Sequence, residues 1–137
     1  MLKNIVRNES FLKIPSTDLK PSELNVIEDL KDTLNFNKDS CVGMAANMIG
    51  YSKNAIVILL NNKKILPMIN PKIISKSEPY FTEEGCLSLD GTRNTIRFKN
   101  IVVEYFDEKF IKHTKPFKDF EAQIVQHEID HLFGIII

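Results

Sequence analysis

The sequence has little of several features that identify common classes of protein. Its 137 residues include only two cysteines, so we expect no disulfide framework of the kind that small secreted domains use. Eighteen basic and eighteen acidic residues give a net charge of zero, which offers no basic surface for nucleic acid or an acidic membrane. The longest apolar run, residues 55–60, is far too short to cross a bilayer. The first residues lack the apolar segment of a signal peptide, so we expect a cytoplasmic chain with free thiols.

The apolar pattern of the first half predicts one helix followed by strands, within a single domain spanning residues 1–137. Residues 3–12 are expected to form an edge strand or an extended arm. Leucine and isoleucine recur at helical spacing from Leu24 to Leu34, and Pro21 favours a helix start, which predicts a helix to about residue 36. Residues 37–50 are expected to be a loop with a short helical turn.

The remaining pattern predicts a sheet and a last helix. Residues 54–60 and 63–69 are predicted strands, and the Asn70-Pro71 pair is expected to break the second. Residues 101–106 and 109–114 flank a hairpin turn. Asp119 is expected to cap the last helix and Gly134 to end it. Strands lying between two helices, without βαβ alternation, indicate an α+β fold.

The last predicted helix carries the clearest chemical signal in the chain. Residues 126–131 have the sequence QHEIDH, which contains the motif H-E-x-x-H. His127 and His131 lie on one face of a helix and can bind one metal ion, and Glu128 can take a proton from water. A solvated helix with two unrelated histidines is the alternative. The chain has only three histidines, so finding two at this spacing favours the metal site.

A catalytic metal site needs a third protein ligand, which the sequence places upstream of the motif. Residues 132–137 are LFGIII, whose side chains contain no ligand atom. The candidates are therefore Cys41, Cys86, His113 and the scattered carboxylates. Cys86 is favoured among these because Gly85 permits close approach of the backbone. A buried, inert thiol is the ordinary alternative for either cysteine, and His113 is expected at the surface.

Three blocks of the sequence resemble the peptide deformylase family. Residues 41–50, CVGMAANMIG, are similar to the family's G-φ-G-φ-A-A-x-Q-x-G, where φ is an apolar residue. Residues 84–88 are EGCLS, identical to the second family motif, and residues 126–131 match its Q-H-E-φ-D-H. The second and third blocks in this order are highly specific, and the resemblance covers most of the chain.

The resemblance implies antiparallel or mixed sheets packed around the metal-binding C-terminal helix. It implies removal of the formyl group from formyl-methionyl N-termini of nascent polypeptides, with release of formate. The metal is usually Fe(II), and Zn, Ni or Co can replace it. Glu128 resembles the general base, the backbone N–H of Leu87 resembles a donor to the oxyanion, and Glu84 resembles an acidic residue supporting the site. Cys86, His127 and His131 resemble the metal ligands.

The sequence departs from the family around the substrate. The family's glutamine, a donor to the oxyanion, aligns with Met48, which cannot donate a hydrogen bond. Cys41 replaces the first glycine of the same block. Gln123 is polar where the family is apolar, and either borders the substrate pocket or turns to solvent. Only six residues follow His131, so docking on the ribosome, proposed for longer relatives, is expected to be weak. Residues expected to bind substrate are Val42, Gly43, Met48, Gln123 and Ile124.

These departures leave two hypotheses beside an active deformylase. The chain could be a related amidohydrolase that acts on another N-acylated amine, because Met48 and Gln123 alter the substrate side of the site. It could also be a metal-binding homologue with weak or no activity, because Met48 removes a donor. No nucleic acid or membrane partner is expected for any of the three.

Overall fold

The computed structural model describes residues 1–136, and Ile137, the last residue of the predicted tail and domain, lies outside the described residues. Three α-helices are present there: α1 (Glu9–Leu12), α2 (Asn25–Asn37) and α3 (Asp119–Leu132). A 3₁₀ turn at Pro21–Glu23 precedes α2. The predicted first helix is therefore confirmed near its expected limits. For residues 3–12 the edge strand is wrong, because residues 3–8 form no strand, and the extended arm is wrong from Glu9 onward, where α1 lies.

Five strands form one sheet in the order β1 to β5, and every neighbouring pair is antiparallel. The α+β fold predicted from the sequence is confirmed, with antiparallel rather than mixed pairing in this sheet. The third and fourth strands form a long hairpin whose turn is Leu87–Ser88. The strands are β1 (Gly43–Ala45), β2 (Ala55–Leu59), β3 (Ile65–Cys86), β4 (Leu89–Phe106) and β5 (Lys112–Lys118).

The structure corrects two sequence-based predictions in the sheet. Residues 43–45 form strand β1 rather than part of a loop, and the helical turn predicted there follows as a 3₁₀ turn at Ala46–Ile49. The Asn70-Pro71 pair does not end a strand, because β3 continues through a register shift between Ile69 and Lys72. A proline inside this irregularity has no ladder hydrogen bond to lose, which is why the strand tolerates it.

Helix α3 follows β5 directly and carries the H-E-x-x-H motif across the sheet. Asp119 is the first residue of this helix and Lys118 occupies the N-cap position, so the predicted capping role of Asp119 is wrong. Gly134, with φ of +78°, follows the end of the helix as predicted. A Cβ at this position would lie 2.3 Å from the Lys13 carbonyl oxygen, so the helix end packs tightly on the N-terminal segment.

The core lies between the two longer helices and the sheet. Ile27, Leu30 and Leu34 of α2 are fully buried, as their spacing predicts. Burying side chains of this size stabilises the fold by roughly 1.5–3 kcal/mol each. Within residues 1–136, no helix is long and apolar enough to span a membrane.

Candidate metal centre

A cavity of about 280 Å³ lies where strand β1, the β3–β4 turn and helix α3 meet. The three motif blocks of the sequence supply most of its walls. Almost every residue predicted for the site lines it, and His131 lies just behind His127. The predicted residues lining the cavity are Val42, Gly43, Met48, Glu84, Cys86, Leu87, Gln123, Ile124, His127 and Glu128.

Cys86, His127 and His131 each offer one ligand atom, and these three atoms lie within 4.8 Å of one another. Cys86 is the last residue of β3, and the two histidines lie one turn apart on α3. The Nε2 atoms of the histidines are 3.0 Å apart. Two nitrogens that bind one tetrahedral zinc ion at the usual bond length are about 3.3 Å apart, so only a few tenths of an ångström separate this arrangement from a metal site.

The Glu84 carboxylate fixes the orientation of the His127 ring. Its Oε1 atom lies 2.7 Å from His127 Nδ1, so an Nδ1–H donates to the carboxylate and the Nε2 atom points toward His131. Arg97 donates to both carboxylate oxygens, at 2.7 Å from Nη2 and 3.0 Å from Nε. Burial opposes the charged form of Glu84, but the hydrogen bonds from His127 and Arg97 outweigh it and lower its pKa to about 2.

The surroundings of the two histidine rings favour a positive charge between Glu84 and Cys86. Burial alone would lower the pKa of His127, but hydrogen bonds with Cys86 and Glu84 raise it to about 10. Burial and the charge of His127 lower the pKa of His131 to about 3. His131 is therefore neutral, and its Nε2 accepts from the protonated His127 ring at 3.0 Å. A cation in this position, either a proton or a metal ion, is stabilised by the same groups.

Glu128 is a buried carboxylate with one oxygen left unpaired. Its side chain lines the cavity, and Oε1 has no hydrogen-bonding partner among the described residues. Burial raises its pKa to about 7. A carboxyl group that gains and loses a proton near neutral pH, beside a potential metal site, is suited to general acid–base catalysis.

Met48 occupies the cavity wall where the family has glutamine. Its side chain is 1% exposed, and its sulfur accepts a hydrogen bond from the Ala45 N–H at 3.4 Å. The neighbouring Asn47 points away from the cavity, because its Nδ2 donates to the His131 carbonyl oxygen at 2.9 Å and faces the Leu12 carbonyl oxygen. Neither side chain therefore supplies a donor to the cavity.

Gly43 and Gln123 decide the shape of the cavity near Ile124. A Cβ on Gly43 would lie 2.7 Å from Ile124 Cγ2 and 2.9 Å from Glu128 Oε2, so only glycine fits beside the carboxylate. Gln123 borders the cavity, the first of the two positions that the sequence left open. Its amide nitrogen nevertheless turns toward Glu84, at 2.9 Å from Oε2.

The other candidate ligands from the sequence are placed differently. Cys41 lines the cavity but is not part of the three-ligand group, and its thiol donates to the Gly43 carbonyl oxygen at 2.9 Å. Burial and the nearby charge of Glu128 raise the pKa of Cys41 to about 12, which keeps the thiol protonated. His113 is an exposed residue of β5 that pairs with Asp107, in agreement with the surface position predicted.

Two residues near Glu84, Tyr80 and Arg97, were not predicted from the sequence. Arg97 is buried between Glu84 and Asp130, and its Nη1 donates to Asp130 Oδ2 at 2.6 Å. The Tyr80 hydroxyl donates to Gln123 Oε1 at 3.2 Å. Tyr80 and Arg97 are direct partners across the β3–β4 hairpin, so only the strand register could have revealed them.

The chain matches known proteins over almost its entire length. Residues 3–137 match the polypeptide deformylase family. A peptide deformylase from Clostridium beijerinckii is 50% identical over 137 residues, which is all of both chains. A crystal structure of a Met-Ala-Ser-bound class I type b peptide deformylase from Acinetobacter baumannii is 28% identical with a TM-score of 0.86, covering 99% of this chain and 96% of that one. A peptide deformylase structure from Legionella pneumophila is 27% identical with a TM-score of 0.88, covering 99% and 83%.

The fold and the site define a class, the hydrolases that hold a metal on a helical H-E-x-x-H motif. Within this class, the family match and the full-length relative make the assignment specific. The chain belongs to the polypeptide deformylase family. The predictions of family, of enzyme class and of deformylase function are thereby confirmed. The group of Cys86, His127 and His131 could hold the metal ion on which enzymes of this family depend.

Proposed function

We propose that this chain hydrolyses the N-formyl group of formyl-methionyl peptides and releases formate, using one divalent metal held by Cys86, His127 and His131. The observation that carries the proposal is the meeting of three ligand atoms within 4.8 Å beside the unpaired, buried carboxylate oxygen of Glu128. We further propose that residues 1–137 form a single catalytic domain.

The donor set suits several divalent metals. Imidazole nitrogen and thiolate sulfur bind Fe(II) and zinc well, and Ni and Co accept the same ligands. We propose Fe(II) as the native metal. When bound, such a cation polarises the formyl oxygen and lowers the pKa of water.

The side chains around the ligands then supply the remaining chemistry. The unpaired Oε1 of Glu128 takes a proton from the attacking water molecule and later gives one to the leaving amine. The backbone N–H of Leu87, in the turn directly after Cys86, donates to the oxygen on which negative charge develops. Glu84 keeps the His127 ring oriented while the reaction proceeds.

We propose that the first side chain of the substrate enters the cavity beside Gly43 and Ile124. Val42 and Met48 form further parts of the wall, and a cavity of about 280 Å³ is close to the lower limit for small-molecule sites. Both polar atoms of Gln123 are occupied by Glu84 and Tyr80, so the cavity faces its methylene groups. This wall suits methionine, which weakens the sequence-based case for a different N-acylated substrate.

The proposed partners are the N-termini of nascent polypeptides in the cytoplasm. We propose no nucleic acid or membrane partner, because the net charge of zero provides no basic surface. Any contact with the ribosome is proposed to be weak.

The test is formate release from formyl-Met-Ala-Ser by protein loaded anaerobically with Fe(II). We expect turnover that depends on added metal, and we expect Glu128→Ala to lower it by at least about 10²-fold, since proton transfer contributes 10²–10⁴-fold in enzymes. Glu121→Ala is the matched control, because Glu121 lies on the same helix and pairs with the backbone of Asn61 instead. Metal-loaded protein that releases no more formate than the Glu128→Ala variant would refute the proposal.

A further inference from the structure

The carboxylate of Glu84 is held from two sides. On one side Arg97 donates to both oxygens, at 2.7 and 3.0 Å. On the other side, His127 Nδ1 lies 2.7 Å from Oε1 and Gln123 Nε2 lies 2.9 Å from Oε2. The second side is supplied by α3 alone, where Gln123 precedes His127 by one helical turn on the same face.

The Glu84 carboxylate fixes which way the Gln123 amide points, and the Tyr80 hydroxyl holds the amide oxygen on the other side. The hydroxyl donates to Gln123 Oε1 at 3.2 Å, which leaves the Nε2 group facing Glu84. A flipped amide would place its oxygen against the Glu84 carboxylate, which can only accept, and would lose the hydrogen bond from Nε2. The two hydrogen bonds therefore favour the same orientation of the Gln123 amide.

We infer that Tyr80 and Gln123 form a positioning pair that holds Glu84, and through Glu84 the His127 ring, in the orientation for metal binding. The inference rests on the proposed function, since it concerns the same site. Gln123 acts on the ligand side of the cavity and makes no polar contact with the substrate. Both residues are positioning residues, because neither touches the reacting atoms.

Gln123 contacts Glu84 directly from α3, whereas Arg97 reaches α3 only through Asp130. Arg97 approaches Glu84 from β4, so it fixes the carboxylate relative to the sheet. Gln123 fixes the same carboxylate relative to α3, the helix that carries both histidine ligands. Tyr80 lies on β3 and is the cross-strand partner of Arg97, so its hydroxyl ties the glutamine back to the hairpin. Loss of the pair lets Glu84 and His127 move relative to each other while the fold stays intact.

The experiment compares Gln123→Met, Tyr80→Phe and the double variant with the unaltered protein. Gln123→Met keeps the length of the side chain but removes both polar atoms, and Tyr80→Phe removes a single oxygen. The first measurement is the apparent dissociation constant of Zn(II) by chelator competition, without substrate. The second is KM and kcat for formyl-Met-Ala-Ser. Tyr105→Phe is the control, because it removes a tyrosine hydroxyl near the β4–β5 turn, away from the cavity.

We expect Gln123→Met to weaken Zn(II) binding by about 10-fold, at the low end of the 10–100-fold cost of removing supports of metal ligands. Tyr80→Phe is expected to have a smaller effect, and the double variant to bind no more weakly than Gln123→Met alone, because Tyr80 acts only through the glutamine. The kcat value is expected to fall with KM unchanged. The Tyr105→Phe control is expected to match the unaltered protein.

Two results would overturn the inference. One is unchanged Zn(II) affinity in both single variants, with a changed KM or first-residue preference, which would make Gln123 a substrate contact. The other is fully additive loss in the double variant, which would mean that the two residues act separately. Because metal affinity is measured without substrate, failure of the deformylation assay alone would refute the proposed function and leave this inference standing.

Discussion

At the scale of single residues, Met48 stands where the similar motif of the peptide deformylases has glutamine. The side chain is buried in the cavity wall, and its sulfur is engaged with the Ala45 N–H. A thioether cannot donate a hydrogen bond to an oxyanion. Since Asn47 is committed to the carbonyl of His131, the Leu87 N–H is the donor on which the proposed mechanism depends.

Replacing Met48 by the family's glutamine tests whether the site lacks a second donor to the oxyanion. We expect Met48→Gln to raise turnover of formyl-Met-Ala-Ser by about 10²-fold, because one oxyanion donor contributes about 10²–10³ in turnover. The measurement is kcat for formate release by the Fe(II)-loaded variant. Met48→Leu is the control, since it keeps an apolar side chain of similar volume without a donor. Equal turnover in the glutamine and leucine variants would show that another group already stabilises the oxyanion.

Residues of the site differ in how far the sequence could reveal them. The two histidines of the candidate metal centre and Glu128 follow from motif spacing, because a helix places residues i and i+4 on one face. Cys86 was one of several candidates for the third ligand, and the family resemblance implied it. Arg97 and Tyr80 have no such signal. Their partners Glu84 and Gln123 lie 13 and 43 residues away in the chain, and only the hairpin register and the docking of α3 bring them together.

At the scale of elements, the irregularity in strand β3 shows why a break was predicted and does not occur. Asn70 has φ of +49°, a left-handed conformation that asparagine tolerates better than most residues. Its side chain accepts from the Leu19 N–H at 2.8 Å and donates to the Leu19 carbonyl oxygen at 3.2 Å. The backbone of Leu19, which is far away in the chain, therefore pairs with both polar atoms of the Asn70 side chain.

Substitution of Asn70 separates backbone conformation from hydrogen bonding. We expect Asn70→Ala to lower the free energy of unfolding by about 2–3 kcal/mol, because it loses two hydrogen bonds and keeps an unfavourable φ. Asn70→Gly is expected to cost about 1 kcal/mol less, since glycine adopts this φ without strain. Urea denaturation of the metal-free proteins measures both. Equal losses in the two variants would show that φ contributes nothing to the difference.

Elements with a strong local pattern could be predicted, and those defined by pairing could not. Helix α2 has apolar residues at helical spacing, and the buried strand β2 has a continuous apolar run, so both were found near their true limits. Strand β1 has only three residues, Gly43–Ala45, and exists because it pairs with β2. The end of β3 was also missed, because residues 81–86 carry polar and acidic side chains that have no strand-like alternation.

At the scale of the whole molecule, Arg97 links three parts of the fold at once. It lies on β4, binds Glu84 of β3 and binds Asp130 of α3, and it is 3% exposed. A buried cation between two carboxylates costs desolvation energy, which the hydrogen bonds offset only while all partners are present. Removing the arginine leaves two carboxylates without a cation beside the metal site.

We expect Arg97→Met to lower the free energy of unfolding by about 3–5 kcal/mol, the usual cost of breaking a buried ion pair by removing one partner. Arg97→Lys is expected to restore only part of this loss, because an ammonium group cannot make the paired contacts of a guanidinium. Urea denaturation gives the stability of each metal-free variant. If Arg97→Met unfolded at the same urea concentration as the unaltered protein, the arginine would have no structural role.

The burial of Met48 also bears on how the gene can change. Methionine and glutamine codons differ at more than one nucleotide, so a donor at this position cannot return through a single point mutation to glutamine. The intermediate codons encode leucine, which brings no donor, or lysine, which would place a positive charge at a position where the present side chain is 1% exposed. A buried, unpaired cation is costly, so selection disfavours the lysine intermediate. A change from methionine to glutamine is therefore expected to pass through leucine.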